Sequence, residues 1–332
     1  MGELGQPAYR GRQAYEALTR GLATSFADMT TLPAALRGAL ADRLRPVGLE
    51  PVDTRRDPAG GTVKTLFRAA DGQPVEAVLM THSRRASVCV STQIGCAVRC
   101  AFCASGRLGL KRDLTAEEML DQVLHFARHL RTANRHVTNV VFMGMGEPFH
   151  NYDEVLRACR LLNDGAGFAL AARGISVSTA GVVPGIARFA AELLQFNLAI
   201  SLHAATDELR SRLVPLNRTY PLTDLMAACA AYVRRTRRKL LFEYVVLPGI
   251  NDTSEQLATL AKLLRRPLYH LNLIGYNAAD GSFAHSGPRE LAALRKRLEN
   301  AGLAVTVRRS PGAEIDAACG QLALRQAPTE AG

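Results

Sequence analysis

Cys96, Cys100 and Cys103 follow one another as C-x3-C-x2-C, three thiols on one short stretch of a 332-residue chain. Thiolates set this close suit a soft metal. A closed structural zinc site asks for four ligands, however, and no neighbouring cysteine or second C-x2-C offers the fourth. His82 and His125 are the available substitutes, and neither stands at zinc-finger spacing. A cubane iron–sulfur cluster held by three cysteines instead leaves one iron open to a further ligand. The spacing favours the cluster, with zinc as the alternative.

Other residues could serve such a centre. Gly144-Met145-Gly146-Glu147-Pro148 follows a predicted strand from Val137 to Met143. Glycines there let the backbone approach a ligand, and the Glu147 carboxylate can accept from an ammonium group. Alone, the loop reads as a structural turn. Ser178, Ser201-Leu202-His203 and Asn277 also end predicted strands. Each by itself reads as a turn or cap residue, but all fall on one rim. Glu76 alternates with Val78 and Met80, the ordinary pattern of a solvent-facing strand carboxylate. Cys89 and Cys319 could be small core residues, as could Cys159, beside Val155 and Leu162, and Cys229, beside Leu225 and Tyr232.

The elements that would position these groups come from periodicity. Strands are predicted near Val88, Val137, Ile175, Asn197, Leu240, Leu268 and Ala304, with helices from Thr115, Tyr152, Val183, Pro221, Ser254 and Pro288. Thr115 and Glu118 form a capping box, and Gly302 is a helix stop. Repeated strand–helix units imply a parallel sheet covered by helices. Six units predict an α/β fold, a partial (βα)6 TIM-like barrel over 87–322, with chemistry at the carboxyl ends of its strands. A small helical domain over 1–45 precedes it. There Tyr15, Leu18 and Leu22 share one face, and Leu32, Leu36, Leu40 and Leu44 form a second stripe, capped by Thr31 with Pro33 in the first turn. A β-hairpin extension over 46–86 turns at Asp71-Gly72, and 323–332 is a flexible tail.

At 48% hydrophobic and 21% charged the composition is that of a chain with a packed core. No apolar run reaches the roughly 18 residues of a membrane helix, and Met1 to Gln6 is not a secretory signal. The protein is expected in the cytoplasm, away from membranes. Seven cysteines in that setting are not a disulfide framework. A net charge of +11 points to a polyanionic partner. Arg234, Arg235, Arg237, Arg238 and Lys239 crowd one helix end, where cations also suit the helix dipole. That cluster and the N-terminal helical unit are the candidate nucleic-acid contacts.

At the cysteine triad, with Phe102 before Cys103, the chain resembles the radical S-adenosylmethionine superfamily. Over residues 7 to 322 it is similar to one branch, the dual-specificity RNA methyltransferases of the RlmN/Cfr type. The likeness rests on QPAYRGRQ from Gln6, Cys89 to Cys96 (CVSTQIGC), Val140 to Pro148, Ser201 to Ala204 and Ile315 to Leu322. It implies a radical SAM barrel, a 4Fe–4S cluster on Cys96, Cys100 and Cys103, and S-adenosylmethionine consumed twice per turnover. It places Gly146, Glu147, Ser178, Ser201, Leu202, His203 and Asn277 at the cofactor. Cys319 would receive a methyl group from one cofactor molecule. An adenosyl radical from the second would then take hydrogen from that methyl, and the carbon radical would add to an adenine ring whose C2 or C8 is too weak a nucleophile to attack a sulfonium. Glu76 would accept the proton, and Cys89 would form a transient disulfide with Cys319. The implied substrate is an adenosine of 23S rRNA, and of tRNA as a second target, flipped from its stack. The implied partners are an electron donor such as flavodoxin or ferredoxin, with the enzyme a monomer.

The chain departs from the family pattern at Ala278, in the loop running to Pro288, and at Ser310 to Glu314. The Leu268 to Ile274 stretch leans toward the C8 type, although C2 is the expected product. The rival readings are a radical enzyme acting on another substrate and a non-catalytic zinc-dependent RNA-binding protein.

Overall fold

The computed structural model describes residues 2–58, 60–277, 283–308, 312–318 and 320–322. Cys319, the departures at Ala278 and at Ser310 and Pro311, and the tail lie outside the described residues. Two short helices come first, α1 (Ala8–Thr19) and α2 (Ala34–Ala41). Leu32, Leu36 and Leu40 close a small core with Phe26 and Met29. Pro33, not Thr31, is the residue at the start of α2, and no side chain caps it. The helix begins beyond the proline, too far along for Thr31 to reach. Leu44 falls after the helix end and is 56% exposed, so the apolar stripe stops at Leu40. The unit is tied to its neighbours through backbone carbonyls. Arg128 donates to Leu22 O and Ala23 O, Arg131 to Gly21 O, and Arg20 to Gly167 O.

Strands β1 (Glu50–Arg56), β2 (Thr62–Arg68) and β3 (Pro74–Thr81) run antiparallel, and Gly72 turns the last pair at φ +81°. β1 escapes sequence reading because it is a largely exposed edge with Pro51 and an irregular register, the place where a sheet tolerates proline. β3 pairs with β4 (Ala86–Cys89), so all three strands extend the main sheet. After β4 come β5 (Gln93–Ile94), a short α3 (Ala104–Arg107) and β6 (Arg112–Asp113).

Strand–helix alternation then runs through α4 (Ala116–Arg131), β7 (Asn139–Phe142), α5 (Tyr152–Asn163), β8 (Ile175–Thr179), α6 (Val183–Ala191) and β9 (Asn197–Ser201). It continues through α7 (Asp207–Leu213), α8 (Leu222–Thr236), β10 (Leu240–Val246), α9 (Ser254–Leu264), β11 (Tyr269–Gly275), α10 (Pro288–Asn300) and β12 (Val305–Arg308). The Thr115 capping box forms with both its bonds, and Gly302 follows α10 at φ +87°.

From β4 through β7, β8, β9, β10, β11 to β12 the sheet is parallel. Six helical crossovers join these strands, the expected six units closed by one more strand. Five strand spacings separate β7 from β12, about 24 Å in a flat sheet. Arg308 Nη1 nevertheless lies 2.9 Å from Met143 Sδ just past β7. The sheet must therefore curl into a partial barrel. Its outer face packs Leu198, Ile200, Phe242 and Leu271 with apolar residues of the helices in one continuous core, which also takes Cys159 and Cys229.

Candidate active site

The loops at the carboxyl ends of β4 and β7 interlock through side chains. Ser91 Oγ donates to Glu76 O at 2.6 Å and accepts from Met145 N at 2.9 Å. Ser91 N donates to Gln122 Oε1, whose amide nitrogen returns to Ser91 O. Gln93 Oε1 accepts from Glu147 N at 2.8 Å, and its amide donates to Asp113. Approach is close enough that a Cβ on Gly144 would stand 2.7 Å from Ser91 Oγ, and one on Gly146, at φ +103°, 2.6 Å from Gln93 Cβ. Glycine is required at both.

Above this scaffold the cysteine loop is cinched by the β5–β6 ladder and by Lys111 N donating to Ile94 O. Ala101 N bonds Leu213 O and Ala104 N bonds Gly320 O, so the loop touches both α7 and the C-terminal segment. Cys96, Cys100 and Cys103 line one cavity of about 160 Å³. Burial pushes the Cys96 thiol up to about 12 and Cys100 well up, with neighbouring thiols adding to both. Such thiols become ligands only when metal binding offsets the cost of their charge. Among the described residues no three His, Cys, Asp or Glu side chains converge as ligands of one ion would. A cubane binds one thiolate per iron, so its thiols ring a cage instead of meeting at a point. Neither His82 nor His125 lines the cavity, which removes the expected fourth ligands for zinc.

Gly146, Glu147, Ser178, Ser201 and His203 line the same cavity. Leu202 and Asn277 are not on its wall: Leu202 N bonds Glu243 O, and the Asn277 amide bonds Gly275 O. The Glu147 carboxylate accepts from Phe149 N at 2.9 Å and Ala180 N at 2.7 Å, clamping the β7 loop to the β8 loop. Burial raises its pKa against the pull of those two N–H groups. His203 adopts φ +60° and accepts from Val245 N through Nδ1 at 3.0 Å. Burial, then Arg210, holds its pKa down at about 3, so the ring is neutral with its proton on Nε2. Phe102 packs edge-on against it at 4.8 Å.

Glu76 and Cys89 do not line the cavity; they stand on β3 and β4, and β4 pairs with β7, whose following loop lines it. Glu76 is fully buried, which overturns the solvent-facing pattern of its strand. Its carboxylate meets Lys64 Nζ at 3.1 Å, and both side chains are almost without exposed surface. Cys89 is half-buried opposite Val78, against which Ile315, Ala317 and Leu322 pack. Gly320 lines the cavity. The segment flanking Cys319 thus touches both the cysteine loop and the Cys89 strand.

Sequence reasoning missed Glu243 and Arg308, which complete the lining. Glu243 Oε1 accepts from Asn272; Oε2 is buried without a hydrogen bond, 3.7 Å from Arg308 Nη1. A carboxylate inside the apolar strand LLFEYVV was the available signal.

The pattern of the Radical SAM superfamily matches residues 90–263. A probable dual-specificity RNA methyltransferase RlmN of Symbiobacterium thermophilum is 45% identical over 98% of this chain and 88% of its own length. Another, of Geobacillus kaustophilus, is 42% identical over 98% of this chain and 89% of its own. The chain belongs to the RlmN family of the radical SAM superfamily. The crystal structure of a radical SAM methyltransferase from Sphaerobacter thermophilus superposes with a TM-score of 0.94 at 48% identity, covering 96% of this chain and 94% of that one. An RlmN-type protein is an S-adenosylmethionine-dependent RNA methyltransferase, and its superfamily cofactors are a 4Fe–4S cluster and S-adenosylmethionine. The residues here fit both groups. Three soft thiols share one cavity, and Glu243 Oε2, buried there without a hydrogen bond among the described residues, can accept from a hydroxyl or amine.

An RlmN-type RNA methyltransferase needs an RNA-accepting face, and the structure sets both candidate regions away from the cavity. Arg234 to Lys239 lead into the amino end of β10, where Arg238 donates to Asn197 at the start of β9. The cavity lies toward the opposite ends of those strands, where its lining residues Glu243 and Val245 stand about 10 and 17 Å along β10 from Leu240. The N-terminal unit also docks at the carboxyl ends of α4 and α5, away from the mouth. Exposed Arg99 and Lys111 lie on or next to the cysteine loop, and exposed Arg212 on α7, which that loop touches. Among the described residues no helix is long and apolar enough to cross a membrane.

Proposed function

We propose that the protein methylates C2 of an adenosine in 23S rRNA, and of a tRNA adenosine as a second target, through an S-methylcysteine at Cys319. The observation that carries this reading is that the segment flanking Cys319 reaches the triad's cavity at Gly320, Glu76 through Lys64 and the Asp316 carbonyl, and Cys89 through the Val78 cluster. The dual specificity in the relatives' names supports two RNA substrates.

The cluster and two molecules of S-adenosylmethionine would supply the methyl group and the radical that activates it, with an electron from a donor such as flavodoxin or ferredoxin. The protein's own residues do the rest. Cys96, Cys100 and Cys103 hold the cluster. Gly146 and Glu147 form the loop for the cofactor amine, Ser178, Ser201 and Glu243 offer partners to its hydroxyls, and His203 presents Nε2–H. Leu202 and Asn277 support the same rim through backbone contacts. Addition of the carbon radical leaves an unpaired electron on the ring, which the cluster would take back. Glu76 takes the ring proton, leaving a closed-shell enzyme–RNA adduct. Cys89 then attacks the Cys319 sulfur: the S–S bond forms, and the S–CH2 pair passes to the methylene carbon, which a proton completes to methyl. Arg99, Lys111 and Arg212 draw phosphates to the mouth so that a flipped base can enter, an extrusion costing a few kcal/mol. The enzyme works as a cytoplasmic monomer.

The stretch that leans toward C8 lies inside β11, where His270 Nε2 bonds Thr306 Oγ1. Its last residue, Ile274, lines the cavity while the rest stays within the sheet, and C2 is the product proposed. Mass spectrometry of rRNA and tRNA digests after reaction reports both the nucleoside and the methylated carbon. 2-Methyladenosine is expected from wild-type protein and none from Cys319→Ala. Methylation by Cys319→Ala would overturn the mechanism, and 8-methyladenosine would overturn the regiochemistry.

A further inference from the structure

Lys64 on β2 and Glu76 on β3 point to the same face of the sheet, diagonal across the register that pairs Lys64 with Val78 and Leu66 with Glu76. Their charged atoms meet at 3.1 Å, and their side chains are 3% and 1% exposed. Lys64 Nζ also donates to the carbonyl of Asp316 at 3.2 Å. Asp316 stands at φ +54°, in the left-handed region, between Ile315 and Ala317, which pack on Val78 and Met145. One ammonium group therefore joins the candidate proton acceptor to the chain three residues before Cys319. Stability alone explains this poorly, because a buried ion pair is commonly replaced by apolar residues at no cost to a fold. Val75, Ala77, Val78 and Leu79 show that the strand is otherwise built of such residues.

We propose that Lys64 is a positioning residue for the resolution of the enzyme–RNA adduct. It holds the Glu76 carboxylate and the Cys319-bearing segment in one fixed relation, and its charge offsets the burial of a carboxylate that must start without a proton. The inference rests on the reading of Glu76 as proton acceptor and Cys319 as methyl carrier. In the step concerned, the ring C–H bond breaks, its electron pair stays in the ring, and an O–H bond forms on Glu76. Lys64 keeps its protons throughout.

The test uses anaerobically reconstituted, cluster-loaded protein with S-adenosylmethionine, a chemical reductant and an rRNA fragment. It follows 5′-deoxyadenosine, protein-linked RNA on denaturing gels, and methylated nucleoside. Lys64→Met should still cleave the cofactor while linked RNA accumulates and product falls, each by about tenfold or more, and Lys64→Arg should recover much of the product. Linked RNA and product at wild-type levels in Lys64→Met would overturn the proposal. Glu76→Gln separates the two readings: accumulation there with none in Lys64→Met refutes Lys64 alone, whereas full methylation by Glu76→Gln refutes the proton acceptor itself. Should Lys64→Met fail to take up iron, the double variant Lys64→Met/Glu76→Gln removes both charges together. If Lys64 acts through Glu76, the double variant matches Glu76→Gln in all three readouts. A further loss of cofactor cleavage would mark Lys64 as merely structural and overturn the proposal.

Discussion

Arg210 should be the most damaging single position to change outside the cysteine loop. Its guanidinium has no exposed surface and donates to Ala180 O at 2.6 Å, Asn217 Oδ1 at 2.9 Å, Leu202 O at 3.1 Å and Ser201 O at 3.2 Å. Ala180 follows β8, Ser201 and Leu202 close β9, and Asn217 lies in the turn after α7, so the fork ties the end of the Ser178 strand to the His203 loop. Burial lowers its pKa to about 10, so it is still charged at neutral pH. Arg210→Met keeps much of the packed volume but strands the four acceptors. Hydrogen bonds to a charged donor contribute about 1.5–3 kcal/mol each. Allowing for relaxation and for the apolar surface that methionine buries, we expect a net loss of about 4 kcal/mol. That is about three powers of ten in the folding equilibrium, and roughly 8 °C in an anaerobic melting scan at fixed rate. Cofactor affinity should fall by about tenfold or more as the His203 loop loosens. Arg210→Lys should be intermediate in both, since a point donor cannot span the fork. A melting point within about 2 °C of wild type for Arg210→Met, with unchanged cofactor binding, would refute this account of how the rim is held.

Replacing Cys96, Cys100 or Cys103 with alanine should abolish cluster absorbance and iron content, whereas Cys159→Ala, deep beneath α5, should keep both at a stability cost of about 1 kcal/mol. Arg99→Ala with Lys111→Ala should weaken RNA binding and lower the slope of log K against log salt by about 1 per lost phosphate contact. Neutralising Arg234 to Lys239 should leave the slope unchanged, and the opposite pattern would return the RNA to the far end of the barrel. Acidification from pH 7 to 5 sets two neighbours on α4 against each other. Burial depresses His125 to about 4, so its stability contribution is present above the unfolded value of about 6.5 and is lost as pH falls below it. Burial raises Asp121 to about 6, so its contribution grows as pH falls through 6. Denaturant midpoints should therefore drop more steeply with acid in Asp121→Asn and less steeply in His125→Gln; identical profiles would show that neither group is coupled to folding.

The barrel was legible because its parts are local. Every predicted barrel strand and helix forms within a few residues of its place, since apolar periodicity, the Thr115 box and Gly302 act over one or two turns. Groups whose meaning depends on distant partners were not legible. Glu76 looks solvent-facing because alternation in one strand is silent about what covers the sheet; Ile315 and Ala317, some 240 positions later, pack with its neighbour Val78. The Arg234–Lys239 cluster leads into the amino end of β10, away from the cavity, and only the direction of that strand reveals it. Thr31 missed its capping role by two residues, because Pro33 decides where α2 can begin.

The same dependence on long-range partners explains the mouth. Loops at the ends of parallel strands have no ladder of their own, yet buried backbone groups must still be paired. Side chains do the pairing here, and each bridges two successive loops. Gln93 joins the β4 loop to the β7 loop, Glu147 the β7 loop to the β8 loop, and Arg210 the β8 loop to the β9 loop. Asn251 bonds His203 O and Val245 O, carrying the belt from β9 to β10, and Ser286 Oγ bonds Val246 O beyond it. The cavity-lining residues Gly146, Ser201 and His203 lie on this belt or one residue from it, and Ser178 lies two from Ala180. A radical must reach one hydrogen and no other, so the groups around it need fixed positions before the substrate arrives. A belt of side-chain bonds gives that rigidity while leaving the centre of the barrel open to a nucleotide.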